Sequence, residues 1–453
     1  MRHNAPVIAN SALVAQLDRA SVSGTEGQGF ESLRARQLSR VHAGHIKRKI
    51  VLTGALGLLW ALTTSQALAQ LRVDLSTENR AWGSATLDEA PPGLYGTRSG
   101  IEAEEIRAVR CSDSGNLSTS KGKVSVGAGC GTLTWQFSLA PYPVQGEVAS
   151  RQLSWFSEVA SWWLVSEGNA ILQASDAGAA SDIRFLLDGQ PLETRAGPRR
   201  VPKLHQAPGF WLLGDPIHLD KGNVRHFFDR SAVPRHLVEL LDSHAKGMEY
   251  LLEVLPNDDL PPVFWMGLAD WQSTMGGAAG TGLVLANYPF AAHEFDNTAY
   301  AITLYVVLHE HSHELFGETG SLWINESLAS YLALKAIKET APEHYPVIAD
   351  AFIEPGNKLE TSLPVIGERA AAGDGQAYSQ LYMGAAFWAA IDAAMVRQGT
   401  HGGLLEVLPK MIARALAPGG TLRREEIAEV TGLTSEALSP ILDQFLGTTQ
   451  AVR

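Results

Sequence analysis

The sequence predicts an α+β fold: a β-sandwich-like N-terminal domain followed by a mainly helical domain. Three observations carry this. From residue 70 to about 225, short apolar runs such as "GKVSVGAG", "GTLTWQFSLAP" and "DIRFLLDG" are interrupted by Gly, Pro, Ser and Asp, the pattern of strands between turns. From about Ser231 the apolar spacing becomes helical, with Leu237, Leu240, Leu241, Met248, Leu251 and Leu252 on one stripe before Pro256. Further on, "TAYAITLYVVLHEHSHELF" is apolar on nearly every face of its first half, as a buried helix must be.

At 453 residues with 45% hydrophobic content, the chain is long enough for more than one core. Its formal net charge of -12 argues against a nucleic-acid or anionic-membrane partner, because neutralising phosphates needs a basic face. The two cysteines, Cys111 and Cys130, exclude a cysteine-rich metal cluster and leave room for one disulfide.

The N-terminal stretch carries its own signals. "VAQLDRASVSGTEGQGFESLRARQ" resembles the peptide made when a transfer-RNA gene is translated by mistake, so residues 1–45 are expected to be a spurious or disordered leader. Residues 46–69 read as a signal peptide. Lys47–Lys49 is its charged start, Ile50–Leu62 its apolar run, and Ala67 and Ala69 a small-x-small site for cleavage between Ala69 and Gln70. The apolar run is shorter than the ~20 residues of a spanning helix, so no stable membrane insertion is expected after cleavage. A periplasmic or secreted location follows, and in such an oxidising compartment Cys111 and Cys130 can pair.

Within the β-rich domain, 70–225, "ETRAGPRRVPKLHQAP" reads as an exposed loop. In the next domain, 226–395, the first helix is expected over Val233–Leu255. Strands over "PPVFWMGLADW" and "GTGLVLANYPF" flank the glycine-rich Ser273–Gly282. That segment lacks the Gly-Lys-Ser/Thr ending of a phosphate loop and reads as a strand edge beside a cleft. The last part, 396–453, reads as helical.

The chemistry concentrates in "LHEHSHELFG". Asp296 or Asn297 can cap a helix that runs to Gly317. On it His309 and His313 are four residues apart, one turn along the same face, where two imidazoles can share one metal. Glu310, rotated by about 100° from His309, can reach a water beside the metal. His311 lies about 200° from His309 and, like Glu314, is not expected to be a ligand. A second helix from about Ser321 carries "LWINESLASYLALKAI", and packing it back would bring Glu326 to the two histidines. Two His and one Glu with an open position make a catalytic set for one Zn2+ per chain.

"HEHSHELFG" followed by "WINESLASY" resembles the gluzincin zinc metallopeptidases, above all the aminopeptidase N and glycyl aminopeptidase families. That resemblance implies a thermolysin-like catalytic domain behind an N-terminal β domain, with peptide or protein substrates. It implies His309, His313 and Glu326 as zinc ligands, Glu310 as general base, and Asn325 as the residue before the third ligand. It also implies a tyrosine that hydrogen-bonds the oxyanion. Leu381–Gly399 resembles the helix that starts with it, which nominates Tyr382, with Tyr378 as second candidate.

Two departures stand out. Only 12 residues separate His313 from Glu326, a shorter connection than in the aminopeptidase N family. The counterpart of that family's amine-holding Gly-Ala-Met-Glu-Asn strand, Gly276–Gly282, has no carboxylate. The function expected from the sequence is an exported zinc metallopeptidase. Its rivals are a non-catalytic zinc-stabilised scaffold and a zinc hydrolase of a non-peptide amide or ester.

Overall fold

Alternation along Thr132–Ser138 drives the N-terminal part: Leu133, Trp135 and Phe137 point inward and their neighbours outward, as a half-buried strand requires. The structure is a computed structural model. It describes residues 70–447 except 99–104, 121–122, 143–148, 175–181, 204–205, 269–275, 318, 320, 401 and 416–421. The leader expected at 1–45, and the signal peptide with its cleavage point, lie outside the described residues.

Thr132–Ser138 pairs antiparallel with Trp82–Asp88 on one side and Ile106–Cys111 on the other. Trp82–Asp88 continues to Gln70–Leu75, which pairs in parallel with Asp182–Leu187. This seven-stranded sheet, a five-stranded and a four-stranded one surround a core that includes Val73, Trp135, Phe137 and Trp211. The fold is α+β, β-rich first and helical after, as expected.

Cys111 and Cys130 form a disulfide between the end of Ile106–Cys111 and the turn into Thr132–Ser138. The bridge closes a loop with a sequence separation of 19. Closing a loop of that order stabilises by about 3 kcal/mol, chiefly through the unfolded state. Replacing both cysteines with serine is expected to lower urea-unfolding stability by about that much and to leave metal affinity unchanged. An unaltered unfolding midpoint would refute this.

The second part starts with its own sheet. Its elements are labelled β1 (His218–Lys221), β2 (Val224–Phe228), β3 (Val263–Leu268), β4 (Gly277–Gly280) and β5 (Leu283–Pro289). The spatial order is β1-β2-β3-β5-β4, with β2, β3 and β5 parallel and β4 antiparallel at one edge. The expected division at residue 225 falls inside the β1–β2 hairpin.

Both parts share a third core. Trp162, Phe210 and Leu212 from the β-rich part pack with Phe264, Met266 and Leu285 of the new sheet. The Trp162 and Phe264 rings meet edge to face, 4.9 Å between centroids. The Trp162 indole N–H donates to Asp229 O at 3.0 Å.

On the other face lie α1 (Val238–Val254), α2 (Asn297–Phe316), α3 (Leu322–Thr340), α4 (Tyr345–Gly356), α5 (Leu363–Ala371), α6 (Gly375–Met383) and α7 (Ala385–Gln398). α8 (Leu404–Ala415), α9 (Arg424–Thr431) and α10 (Ser435–Leu446) complete the same core. One expected helix is broken. Leu381–Gly399 is not continuous, because α6 stops at Met383 and α7 restarts at Ala385. At the junction a Cβ on Gly384 would lie 2.7 Å from Ser327 Cβ, so glycine lets α3 approach closely there.

Behind α2 a line of buried histidines ties it to α1 and the sheet. His244 on α1 shares a 3.0 Å hydrogen bond with His311, and the His311 Nε2 lies 2.9 Å from Pro261 O. Since that carbonyl only accepts, His311 donates to it and His244 donates to His311. On β2, His226 Nδ1 accepts the Trp265 indole N–H at 3.0 Å. Burial pushes His226 down to about 3 and holds His244 well below the ordinary range, with the neighbouring histidines adding to both.

A depressed histidine contributes stability that is full above the unfolded value near 6.5 and is lost as pH falls towards the folded value. Urea unfolding from about pH 6 to pH 4 is therefore expected to show stability falling, by up to about 1.4 kcal/mol per pH unit for each such histidine. Replacing His226 with Phe should flatten the slope, and a slope unchanged by that substitution would contradict the assignment.

Candidate active site

The site rests on two helices and the short link between them. Asp296 caps α2 by accepting the Ala299 N–H at 2.8 Å, and Gly317, with φ 69°, ends it in a conformation glycine tolerates. The link is pinned by Asn325, whose Oδ1 accepts from the Thr319 N–H at 3.0 Å and the Thr319 hydroxyl at 2.5 Å. Thr319 is fully buried, so this clamp is built into the core. It turns the chain sharply enough for α3 to return along α2.

The return brings together the residues that the sequence singled out. His309 Nε2 and His313 Nε2 are 3.2 Å apart, and Glu326 Oε2 lies 3.3 Å from the first and 3.7 Å from the second. A tetrahedral ion bound at about 2.0–2.1 Å spaces its ligand atoms about 3.3–3.4 Å apart, so the three fit a zinc. Among the described residues this is the only group of three or more His, Cys, Asp or Glu side chains whose ligand atoms converge in this way. Burial would raise the Glu326 carboxyl, but the close approach of His313 and His309 outweighs it and holds the group well below the usual range. It stands as an anion ready for a cation.

Glu310 sits beside this trio. Burial raises its pKa most strongly, His309 and His313 oppose that, and the Ala279 N–H on β4 donates to its carboxylate. The edge strand comes very close here. A Cβ on Gly277 would lie 2.7 Å from Glu310 Cγ and 2.9 Å from Val306 Cγ1. The glycine-rich segment, read in the sequence as a strand edge, is the seat of Glu310.

The two tyrosines separate. The Tyr378 hydroxyl donates to Glu326 Oε1 at 3.0 Å, leaving Oε2 for the histidines. The Tyr382 ring lies edge-on to His309, with centroids 5.4 Å apart, and its hydroxyl donates to Tyr378. Tyr382 lies in the last turn of α6 and not at the head of a longer helix, because of the break at Gly384. Burial holds both phenols well above 10, so both remain donors. His311, which the sequence did not place among the ligands, hydrogen-bonds His244 behind α2.

Sequence reasoning missed Tyr305 and Ser330. The Tyr305 hydroxyl donates to Ser330 Oγ at 2.9 Å, and Ser330 Oγ lies 3.2 Å from His309 Nδ1. The spacing held a signal, since Tyr305 is one turn before His309 and Ser330 one turn after Glu326.

No protein-family model matches the chain, and no curated protein matches its sequence. Solved structures do. An aminopeptidase N family protein from Idiomarina loihiensis superposes with a TM-score of 0.61 at 12% identity, over 84% of this chain and 76% of that one. An M1 zinc metallopeptidase from Deinococcus radiodurans gives 0.49 at 14%, over 84% and 94%. Yeast LTA4 hydrolase in complex with bestatin gives 0.45 at 13%, over 86% and 70%. The first of these likenesses shows the fold: a β-rich part followed by a helical part, arranged as in that aminopeptidase N family protein.

Proposed function

We propose that this chain is an exported zinc metallopeptidase that hydrolyses peptide bonds, with His309, His313 and Glu326 holding the metal and Glu310 as general base. One observation carries the reading: three ligand atoms converge at 3.2, 3.3 and 3.7 Å with a second carboxylate beside them. Zinc bound there would polarise the scissile carbonyl and acidify a water, as zinc does in open three-ligand sites.

The chain's own groups supply the rest. Glu310, its proton affinity raised by burial, takes a proton at its carboxylate and passes it to the leaving amine. The Ala279 N–H steadies that carboxylate. Tyr378 is committed to the resident carboxylate of Glu326, so Tyr382 is assigned as the donor to the developing oxyanion, its one O–H turning there from Tyr378 when substrate is bound. β4 is a sheet edge next to Glu310, and an extended peptide can pair along it, which favours a peptide over other amides. The disulfide and the absence, among the described residues, of any helix long and apolar enough to cross a membrane are compatible with export.

Metal analysis of purified protein, with a peptide-library digest before and after chelation, tests this. The expected result is one zinc per chain and cleavage that chelator stops and added zinc restores. Zinc-loaded protein that cleaves no peptide would sink the peptidase reading. A narrower expectation concerns the seat of the base. Gly277→Ala should push Glu310 aside and lower kcat by about 10–100-fold while zinc stays bound, since small displacements of catalytic groups cost that order. An unchanged kcat would show that β4 does not set the position of Glu310.

A further inference from the structure

Ser330 has one hydroxyl proton and two lone pairs, and its neighbours decide how they are used. It lies fully buried on α3, with its Oγ 2.8 Å from Glu326 O, one turn back. At that short distance the Ser330 hydroxyl donates to the carbonyl, which can only accept. The Tyr305 hydroxyl donates to Ser330 Oγ at 2.9 Å and takes one lone pair. The remaining neighbour, His309 Nδ1 at 3.2 Å, meets an oxygen with no proton left to give, so Nδ1 must carry the hydrogen. The other ring nitrogen, Nε2, then holds the free lone pair, and it is the atom that faces His313 and Glu326.

Two ladders make this possible. Tyr305, His309 and His313 follow one another at four-residue steps on α2, and Glu326 and Ser330 do so on α3. Where the helices cross, the second ladder presents a hydroxyl to the first. Metal-binding histidines are ordinarily fixed through the other ring nitrogen by a carboxylate, a backbone carbonyl or water. Here the acceptor is a neutral side-chain oxygen whose direction is set by a tyrosine and a helix carbonyl.

We propose that Ser330, oriented by Tyr305, is a positioning residue that locks His309 in its Nδ1–H tautomer and so presents its Nε2 to the metal. The proposal rests on the zinc reading for its purpose and on the hydrogen-bond network for its geometry. Ser330→Ala removes the acceptor. Tyr305→Phe keeps Ser330 but removes the group that orients it.

The test measures zinc dissociation constants of the full chain by competition with a chromophoric chelator. It also reads histidine tautomers in the metal-free protein from long-range proton–nitrogen correlations. Ser330→Ala is expected to weaken zinc binding about 10–100-fold and Tyr305→Phe by less, the range found when such supporting partners are removed. In the metal-free wild type His309 should be the Nδ1–H form, and in Ser330→Ala it should shift towards Nε2–H. A merely structural role for Ser330 would leave that tautomer where it was. Folded Ser330→Ala that binds zinc as tightly as wild type overturns the proposal, and so does an Nε2–H His309 in metal-free wild type. If Ser330→Ala does not fold, the wild-type tautomer and the Tyr305→Phe affinity still decide. A wild type that binds no zinc would instead sink the zinc reading, while the tautomer would still report on Ser330.

Discussion

Glu310→Gln is expected to lower kcat/KM by about 100- to 10,000-fold, the range for loss of a general base, while zinc content stays at the wild-type level. Glutamine keeps the shape of the side chain and an oxygen to accept the Ala279 N–H, so the seat between β4 and α2 survives. What it lacks is the capacity to take and return a proton. The measurement is steady-state hydrolysis of a peptide found in the library digest, paired with metal analysis of the same preparation. Retention of activity within tenfold of wild type would remove Glu310 from the mechanism.

Glu326→Ala is the second large effect, and it acts on the metal. Removing one of three ligands should weaken zinc by more than the 10–100-fold assigned to supporting residues, and hydrolysis should vanish at ordinary zinc concentrations. The substitution also strips His309 and His313 of their anion and removes the hydrogen bond from the Tyr378 hydroxyl to Glu326 Oε1. A hydrogen bond to a charged group contributes about 1.5–3 kcal/mol, so the metal-free variant should unfold earlier than metal-free wild type. Glu326→Gln, which still accepts from Tyr378, should recover part of that stability without recovering the metal. Equal zinc affinity in wild type and Glu326→Ala would place the metal elsewhere.

What the sequence made legible was whatever a local period encodes. His309 and His313 announce themselves because four residues of helix return a side chain to the same face, and Asp296 and Gly317 bracket that helix with ordinary cap chemistry. Glu326 followed from one assumption, that α3 turns back, and the Thr319–Asn325 clamp is the reason it does. Ser330 and Tyr305 were open to the same reasoning, but a serine and a tyrosine among apolar residues carry no chemical flag.

Other features have no local cause. The parallel pairing of Gln70–Leu75 with Asp182–Leu187 joins segments far apart in the chain, and no turn between them fixes it. The break at Gly384 depends on Ser327 of another helix, and glycine within a helical pattern does not by itself mark a boundary. The approach of Gly277 to Glu310 is likewise a tertiary contact, readable only once β4 lies beside α2.

The short link between α2 and α3 has a bearing on how the site assembles. All three proposed ligands lie between positions 309 and 326, so bringing them together closes only a small loop, and small loops close at low entropic cost. Glu310 owes its seat to β4, which forms a tight hairpin with β5 but reaches α2 only when that hairpin has docked through the parallel β3–β5 pairing. On the proposed reading, contact order separates the site into a local part that would hold the metal and a less local part that would transfer the proton. Pulsed amide exchange during refolding should show α2 and α3 protected before β4 and β5. Simultaneous protection would mean that the helical hairpin cannot stand without the sheet.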